Sequence, residues 1–574
     1  MRVIATAGHV DHGKSALVRR LTGMEPDRWA EERRRGLTID LGFAWTAIGG
    51  EPVAFVDVPG HERFVPNMLA GAGPAPAVLF VVAADEGWMP QSAEHLAALD
   101  AFGVRRGLLA VTKADRADPG PAAAAASREL SATALGELPA VAVSSTTGEG
   151  IDRLRDALAA LMASLPQPDP GADLRLWLDR AFTVAGAGTV VTGTLAAGTI
   201  AVGDELVLNG KTVSVRGLQA LGEDRPRVHG AARVAVNLRG VSRDEVRRGD
   251  VLLAPHAWRT TETLDVRVRG AASESLHREL VLHVGTAAVP AHVRPLGTDT
   301  ARLALRRPLP LRIGDRGLLR DPGEHAIPAG VDVLDVCPPP LGRRGAARAR
   351  AAELAVPDLA AEHLRRRGFV PAAEFRAIGL APAGLRIGSW LADPQRFARL
   401  KEETRSVVAA WSRAHPVDAG MPAEALRQRL GLPAAELLAP LLDGLHQEGG
   451  RVRLPGSGLA PWLEAALDAL DRRFAEQPFR APEAAELSEL GLGKRELAAA
   501  VRHGRLTEIA AGVVLGPDAL RRAAEVLRQI EQPFTVSAAK RALQSTRRVA
   551  VPLLERLDAA GRTVPLADGT RRAR

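Results

Sequence analysis

The sequence predicts a multidomain chain. An α/β domain built around a phosphate-binding loop comes first, then two β-barrels, then an α+β array of winged-helix units. Three observations carry this. The run Gly8-His9-Val10-Asp11-His12-Gly13-Lys14-Ser15 lies between an apolar strand pattern (Val3 to Ala7) and a helical one (Ala16 to Leu21). That is the strand–turn–helix context of a phosphate loop. From about residue 172 the pattern becomes short alternating apolar runs punctuated by Gly and Asp, as in antiparallel barrels. Beyond Cys337-Pro338-Pro339-Pro340 the chain turns Ala-, Leu- and Arg-rich, and short amphipathic helices are followed by short strand pairs, the order of winged helices.

Composition sets the bounds. The 574 residues, 46% apolar and 25% charged, are enough for several globular domains. No run reaches roughly 18 uninterrupted apolar residues, so no membrane span is expected. The N-terminus enters a strand directly, without a secretory pattern. The single cysteine, Cys337, has no partner for an internal disulfide and no metal-site spacing; a buried, inert thiol and a cytoplasmic setting are expected. The net charge of +8 permits an anionic partner.

In the phosphate loop, successive N–H groups and the following helix N-terminus point at one spot, where the helix dipole favours an anion. Gly8 and Gly13 allow close backbone approach. Lys14 offers a point charge for the β- and γ-phosphates, and Ser15 a hydroxyl for Mg²⁺. The chain has 6 lysines against 69 arginines, so a lysine at the one place suited to a compact ammonium favours function over a surface charge.

Residues 24–36 are polar and charged and read as a solvated loop leading into Leu37-Thr38-Ile39-Asp40. Gly42 to Ala47 and Val53 to Val56 read as a hairpin that delivers Asp57-Val58-Pro59-Gly60-His61. A carboxylate at the end of a buried strand suits a residue held near Mg²⁺, and Gly60 can turn its N–H toward a γ-phosphate. Further strands are read at Ala77–Ala84, Gly107–Val111 and Ala140–Val143, alternating with helices. This predicts a mostly parallel sheet with every motif at a strand's carboxyl end, where such sheets bind ligands. Thr112-Lys113-Ala114-Asp115 points to guanine, because a carboxylate accepts the N1 and N2 hydrogens together and adenine offers no such pair.

GHVDHGKS at 8–15, RGLTID at 35–40, DVPGH at 57–61 and DEGWMP at 85–90 resemble the translational GTPases that carry aminoacyl-tRNA. The resemblance covers residues 1 to about 340. It implies GTP/GDP contacts from Asp11, His12, Gly13, Lys14, Ser15, Ala16, Gly60, Thr112, Lys113, Asp115, Ser144, Ser145 and Thr146. It implies Mg²⁺ ligation by Ser15, by Thr38 when the γ-phosphate is present, and by Asp57 through water. His61 would orient the attacking water or stabilise charge around it, gated by Val10 and Leu37 until the ribosome moves it. Two departures from the family pattern are expected to loosen nucleotide binding: Thr112 in place of Asn, which weakens a hydrogen bond bracing the phosphate loop, and Ser144-Ser145-Thr146 in place of Ser-Ala-Lys, which drops a lysine near the base. Fast GDP release without an exchange factor would accord with both.

DVPGHERF at 57–64, TKADR at 112–116 and DRAF at 179–182 most resemble the selenocysteine-specific elongation factors. The expected domains are then 1–168 (GTP-binding), 172–256 and 258–340 (β-barrels), and 346–574 (about four winged-helix units, the last about 533–574). The partners implied are selenocysteyl-tRNA, a selenoprotein mRNA hairpin and the ribosome, for a monomer with no membrane association. A selenol is largely ionised at neutral pH, so an arginine pocket can separate it from serine by charge. Asp179, Arg180 and Arg239 are the candidates for that pocket.

Residues 534–574 carry nine basic and three acidic side chains, most of the chain's net charge. Ser545-Thr546-Arg547-Arg548 reads as a capped helix start. Cations there oppose the helix dipole, and a phosphate partner would explain them. Lys540, Arg541, Arg547, Arg548 and Arg562 are the RNA-binding candidates, with Gly561-Arg562-Thr563 as the wing. Two other readings are a GTP-switched winged-helix regulator without tRNA carriage and a general elongation or initiation factor. His61 and the two barrels argue against the first; the basic arm argues against the second.

Overall fold

A computed structural model describes all residues except 27–37, 62–63, 74, 357, 416, 419, 456–458 and 460. Most of the polar segment 24–36, and the gate candidate Leu37, therefore lie outside the described residues. The chain forms two compact units, 1–383 and 384–574.

The first unit begins with a six-stranded sheet. Its strands are β1 (Arg2–Ala7), β2 (Gly42–Ile48), β3 (Glu51–Asp57), β4 (Ala77–Ala83), β5 (Gly107–Thr112) and β6 (Ala140–Ala142), in the order β2-β3-β1-β4-β5-β6. All pairings are parallel except the β2–β3 hairpin. β1, β4 and β5 are buried along their whole length, as unbroken apolar runs require when both faces are covered. The helices are α1 (Lys14–Thr22), α2 (Val65–Ala72), α3 (Pro90–Phe102), α4 (Pro119–Ser131) and α5 (Ile151–Ser164). They pack on both faces and divide the core in two.

Nine strands follow: β7 (Arg175–Val184), β8 (Gly188–Leu195), β9 (Thr199–Ala201), β10 (Glu205–Leu208), β11 (Lys211–Ala220), β12 (Glu223–Asp224), β13 (Arg227–His229), β14 (Ala232–Arg239) and β15 (Val251–Leu253). Seven of them make a sheet that curls until β10 also pairs with β11, around its own apolar core. The next six, β16 (Thr260–Arg269), β17 (Glu279–Val284), β18 (Ala287–Pro295), β19 (Thr300–Pro310), β20 (Arg316–Asp321) and β21 (Ala326–Asp335), close into a barrel. Cys337 is half-buried against that barrel's core, and burial pushes its thiol pKa up.

A buried ion network ties the barrel to the helices that follow. Asp265 on β16 accepts from Arg302 Nε of β19 at 2.7 Å and from Arg350 Nε at 2.8 Å. Arg350, on the helix Ala346–Leu354, also reaches Asp335 at 2.5 Å, and Arg366 on the helix Leu359–Arg367 meets the same carboxylate at 2.8 Å. Asp265 is fully buried, and Arg350 and Asp335 are each 3% exposed.

The second unit repeats short helices and two-stranded hairpins. Pro394–Ala414 and Ala423–Arg429 precede the strands His446–Glu448 and Arg451–Arg453. Pro461–Glu476, Ala484–Glu489 and Lys494–Arg502 precede Thr507–Ala510 and Val513–Leu515. Ala519–Arg528, Val536–Ala542 and Arg547–Ala559 precede Thr563–Pro565 and Arg571–Ala573. The last two sets share one core. Two expectations need correcting. Thr546 occupies the cap position of the helix Arg547–Ala559 but makes no cap bond, while the Ser545 hydroxyl donates to the Phe479 carbonyl at 2.5 Å. The final hairpin turns at 566–570, so Arg562 precedes its first strand and is not at its tip.

Candidate functional site

The phosphate loop is held by three pins from other elements. Gly8 takes φ 132, where a side chain would run into the Val81 carbonyl; Asp11 and Gly13 take φ 62 and 80. The Gly8 N–H donates to His95 Nδ1 at 3.1 Å, and the Val10 N–H to Gln91 Oε1 at 3.1 Å. Gln91 and His95 stand one turn apart on α3, so one helix face pins two loop amides. The Thr112 hydroxyl donates to the His12 carbonyl at 2.6 Å. Thr112 thus braces the loop through a short, buried hydrogen bond supplied at the end of β5.

Two imidazoles at this loop are kept neutral by burial. Burial pushes His95 down to about 3 and His12 down to about 4. A neutral His95 keeps the Nδ1 lone pair that accepts from Gly8. Lys14 Nζ donates to the loop's own carbonyls, Gly8 at 3.0 Å and His9 at 2.7 Å, which holds the ammonium against the loop.

Three oxygens named from sequence as metal ligands come together. Ser15 Oγ donates to Asp57 Oδ2 at 2.5 Å and lies 3.0 Å from Thr38 Oγ1; Thr6 Oγ1 donates to Asp57 Oδ1 at 2.7 Å. Asp57 is fully buried, and burial pushes its carboxyl pKa up against the Ser15 bond and the Lys14 charge. Two hydroxyls and an anionic carboxylate are hard donors that fit a small, hard dication, which would offset the cost of that buried charge.

Gly60 abuts the loop closely: a Cβ there would lie 2.6 Å from Lys14 Nζ and 2.7 Å from Val10 N. His61 is half-buried, its ring 5.9 Å from that of Phe64, and its carbonyl accepts from the Phe64 N–H at 2.9 Å. Val10 is also half-buried, Ala16 is half-buried and Asp11 is exposed.

Just past the end of β5, Lys113 Nζ donates to Glu86 at 2.6 Å and lies 3.1 Å from Asp85. Burial opposes its charge, but these carboxylates outweigh burial and raise its pKa. Asp115 is exposed, and the Ser144 hydroxyl holds its carboxyl below the ordinary range. Ser144 is buried, Ser145 half-buried and Thr146 exposed. β5 and β6 thus bring the guanine-reading candidates to one rim.

A second cavity, of about 710 Å³, opens where the α/β domain meets the first barrel. Asp40, Asp179, Arg180, Phe182, Arg243, Arg247 and Arg248 line it. Arg180 donates to Asp40 at 3.2 Å and to the Leu41 carbonyl. Arg248 donates to Asp40 at 2.6 Å, to the Asp179 carbonyl at 3.0 Å and to Asn67 Oδ1. Burial opposes ionisation of Asp40, yet the two guanidiniums hold its carboxyl below the usual range. The Asp179 carboxylate is committed elsewhere: it accepts from Thr192 at 2.8 Å and from Arg233 at both oxygens. Arg239 is exposed, opposite Ser214 on β11, and does not line the cavity.

Among the RNA-binding candidates, Lys540, Arg541, Arg547 and Arg548 are exposed and Arg562 is half-buried. Lys540 and Arg541 sit in the last turn of Val536–Ala542, next to the Arg547–Arg548 start of the following helix.

Sequence reasoning missed His95, Gln91, Asn67, Asp40 and Arg248. A Gln and a His one turn apart were visible, but nothing local marks them as facing a loop some 85 residues earlier. Arg247-Arg248 had no contrast in so arginine-rich a chain.

Comparison with known proteins agrees with this geometry. Residues 1–164 match the elongation factor Tu GTP-binding domain, 188–253 elongation factor Tu domain 2, 263–340 the β-barrel domain of selenocysteine-specific elongation factors, and 525–572 the winged helix of elongation factor SelB. The selenocysteine-specific elongation factor of Escherichia coli (strain K12) is 32% identical over 98% of this chain and 97% of its own. That of Desulfomicrobium baculatum is 38% identical over 60% of this chain and 56% of its own. A crystal structure of a bacterial selenocysteine-specific elongation factor superposes over 100% of both chains with a TM-score of 0.75 at 27% identity. With a phosphate loop pinned at a parallel sheet's carboxyl edge, two barrels, a winged-helix tail and this similarity end to end, the chain belongs to the selenocysteine-specific elongation factor family of translational GTPases.

Proposed function

We propose that the protein binds GTP with Mg²⁺, carries selenocysteyl-tRNA to the ribosome at UGA codons marked by an mRNA hairpin, and hydrolyses GTP there. The observation that carries this reading is the convergence of Ser15, Thr38 and Asp57 oxygens beside the Lys14 ammonium. When bound, Mg²⁺ would neutralise phosphate charge at the β- and γ-oxygens. The loop amides and Lys14 bind the phosphates, and Asp115 with the Lys113 stem reads guanine. Ser15, Thr38 and Asp57 would hold the ion, Thr38 only while the γ-phosphate is present. Gly60 senses that phosphate, and His61 orients the attacking water or stabilises charge around it.

The arginine-lined cavity suits an aminoacyl end whose side chain is an anion at neutral pH. Arg180, Arg247 and Arg248 are the residues that would meet it. The exposed cations of the last winged helix suit an RNA backbone. Holding the carrier beside one codon raises its local concentration there without a tighter codon contact. No helix among the described residues is long and apolar enough to cross a membrane; we place the protein in the cytoplasm, as a monomer.

The test uses one tRNA charged with selenocysteine or with serine and times hydrolysis of the aminoacyl ester beside protein and a non-hydrolysable GTP analogue. Protection of the selenocysteyl ester alone is expected. Equal protection of both refutes selection by charge, and protection of neither refutes tRNA carriage.

A further inference from the structure

One side-chain cluster, Asp40 and Asn67 with Arg180 and Arg248, joins three parts of the first unit. Asp40 lies two residues after Thr38 and one before Leu41, which is 2% exposed in the core of the α/β domain. Its carboxylate accepts from Arg180 at 3.2 Å and from Arg248 at 2.6 Å, both carried by the first barrel's chain. Asn67, on α2 just after the Asp57–His61 motif, closes the cluster. Its amide donates to the Ile39 carbonyl at 2.9 Å and its oxygen accepts from Arg248. Segment 38–41, the helix after His61 and the wall of the 710 Å³ cavity therefore meet at two side chains.

The placement has a mechanical consequence. Thr38 sits 3.0 Å from Ser15 while Asp40 holds both arginines. Two residues of chain span at most about 7 Å. With Leu41 anchored in the core, a displacement of Thr38 away from Ser15 has to be absorbed at Ile39 and Asp40. Arg180 and Arg248 then lose the carboxylate they share and keep only the Leu41 and Asp179 carbonyls and Asn67 as acceptors, and a guanidinium recognises an anion through the direction of its fork.

We infer that Asp40 and Asn67 are positioning residues that make the arginine wall of the aminoacyl cavity conditional on the nucleotide-sensing segments. This rests on the tRNA-carrier reading above. Coupling of this kind is reciprocal: whatever γ-phosphate contributes to tRNA binding, tRNA returns to GTP binding.

The experiment measures affinity for selenocysteyl-tRNA, by ester protection, with a non-hydrolysable GTP analogue and with GDP, for the parent, Asp40→Asn and Asn67→Ala. The parent should bind far more tightly with the GTP analogue. Each variant should cut that ratio by roughly 5- to 150-fold, mostly by weakening the GTP-form complex, and Asp40→Glu should recover part of it. Ratios equal to the parent's in both variants overturn the inference, as does an equal loss in both nucleotide states, the mark of a purely structural role. A parent that protects the ester with neither nucleotide overturns the carrier reading, and the inference with it.

Discussion

Replacing Thr112 by valine should accelerate nucleotide release. The substitution keeps the side chain's shape and removes one hydroxyl. That hydroxyl donates to the His12 carbonyl at 2.6 Å, across 100 residues of sequence, and Thr112 is 2% exposed. The His12 carbonyl lies between two left-handed residues, Asp11 at φ 62 and Gly13 at φ 80, a conformation costing about 1 kcal/mol or more at a non-glycine position unless the surroundings hold it. Removing the donor leaves a buried acceptor unpaired, at about 1–3 kcal/mol. Expressed wholly in the nucleotide complex, that is about 5- to 150-fold in affinity, at tenfold per 1.4 kcal/mol. The assay is stopped-flow release of a fluorescent GDP, with thermal unfolding of the nucleotide-free protein as the control for general damage. Release within twofold of the parent's would refute the brace. A fall in melting temperature with release unchanged would place Thr112 in the fold and outside the site.

Other outcomes follow from the same geometry. His61→Ala should bind GTP as the parent does and lose ribosome-stimulated hydrolysis; stimulated turnover at the parent's rate would remove His61 from the mechanism. Arg547→Ala with Arg548→Ala should weaken RNA binding about uniformly across sequences and lower the slope of log affinity against log salt by about 2, which a salt titration with a short hairpin checks. His95, lowered by burial to about 3, is neutral in the folded chain and more readily protonated when unfolded. Its stabilisation is thus fully present above pH 6.5 and is lost as pH falls toward 3. Urea midpoints should fall over that window, and less steeply in His95→Gln.

The parts legible in the sequence were the contiguous ones. A phosphate loop, a strand ending in Asp57 and the Thr112–Asp115 run each carry their chemistry within a few residues, and the alternation of buried strands and helices fixes where they meet. The Asp40 cluster was illegible for the opposite reason. Its partners lie 140 and 208 residues away, and an arginine that clamps an aspartate looks like any other arginine in this chain. Arg239 ends a strand opposite Ser214 and lies off the cavity; residue type alone does not tell which strand end faces it. Residue type alone marks Thr546 as a cap, but its side chain makes no cap bond, and Ser545 beside it is drawn to a carbonyl 66 residues away.

The ion network around Asp265 and Asp335 decides where the chain can be cut. Composition changes near residue 340, which looks like the natural end of a minimal GTPase fragment. A fragment ending there would lack Arg350 and Arg366 and would strand Asp335 with neither guanidinium, while Asp265, fully buried, would keep Arg302 alone. Removing one partner of a buried ion pair costs about 3–5 kcal/mol, a large part of a domain's net stability. The helices 346–354 and 359–367 are therefore part of the body in the sense a protein engineer needs. A soluble, crystallisable fragment should keep both, and a protease that trims the tail should stall before it reaches them.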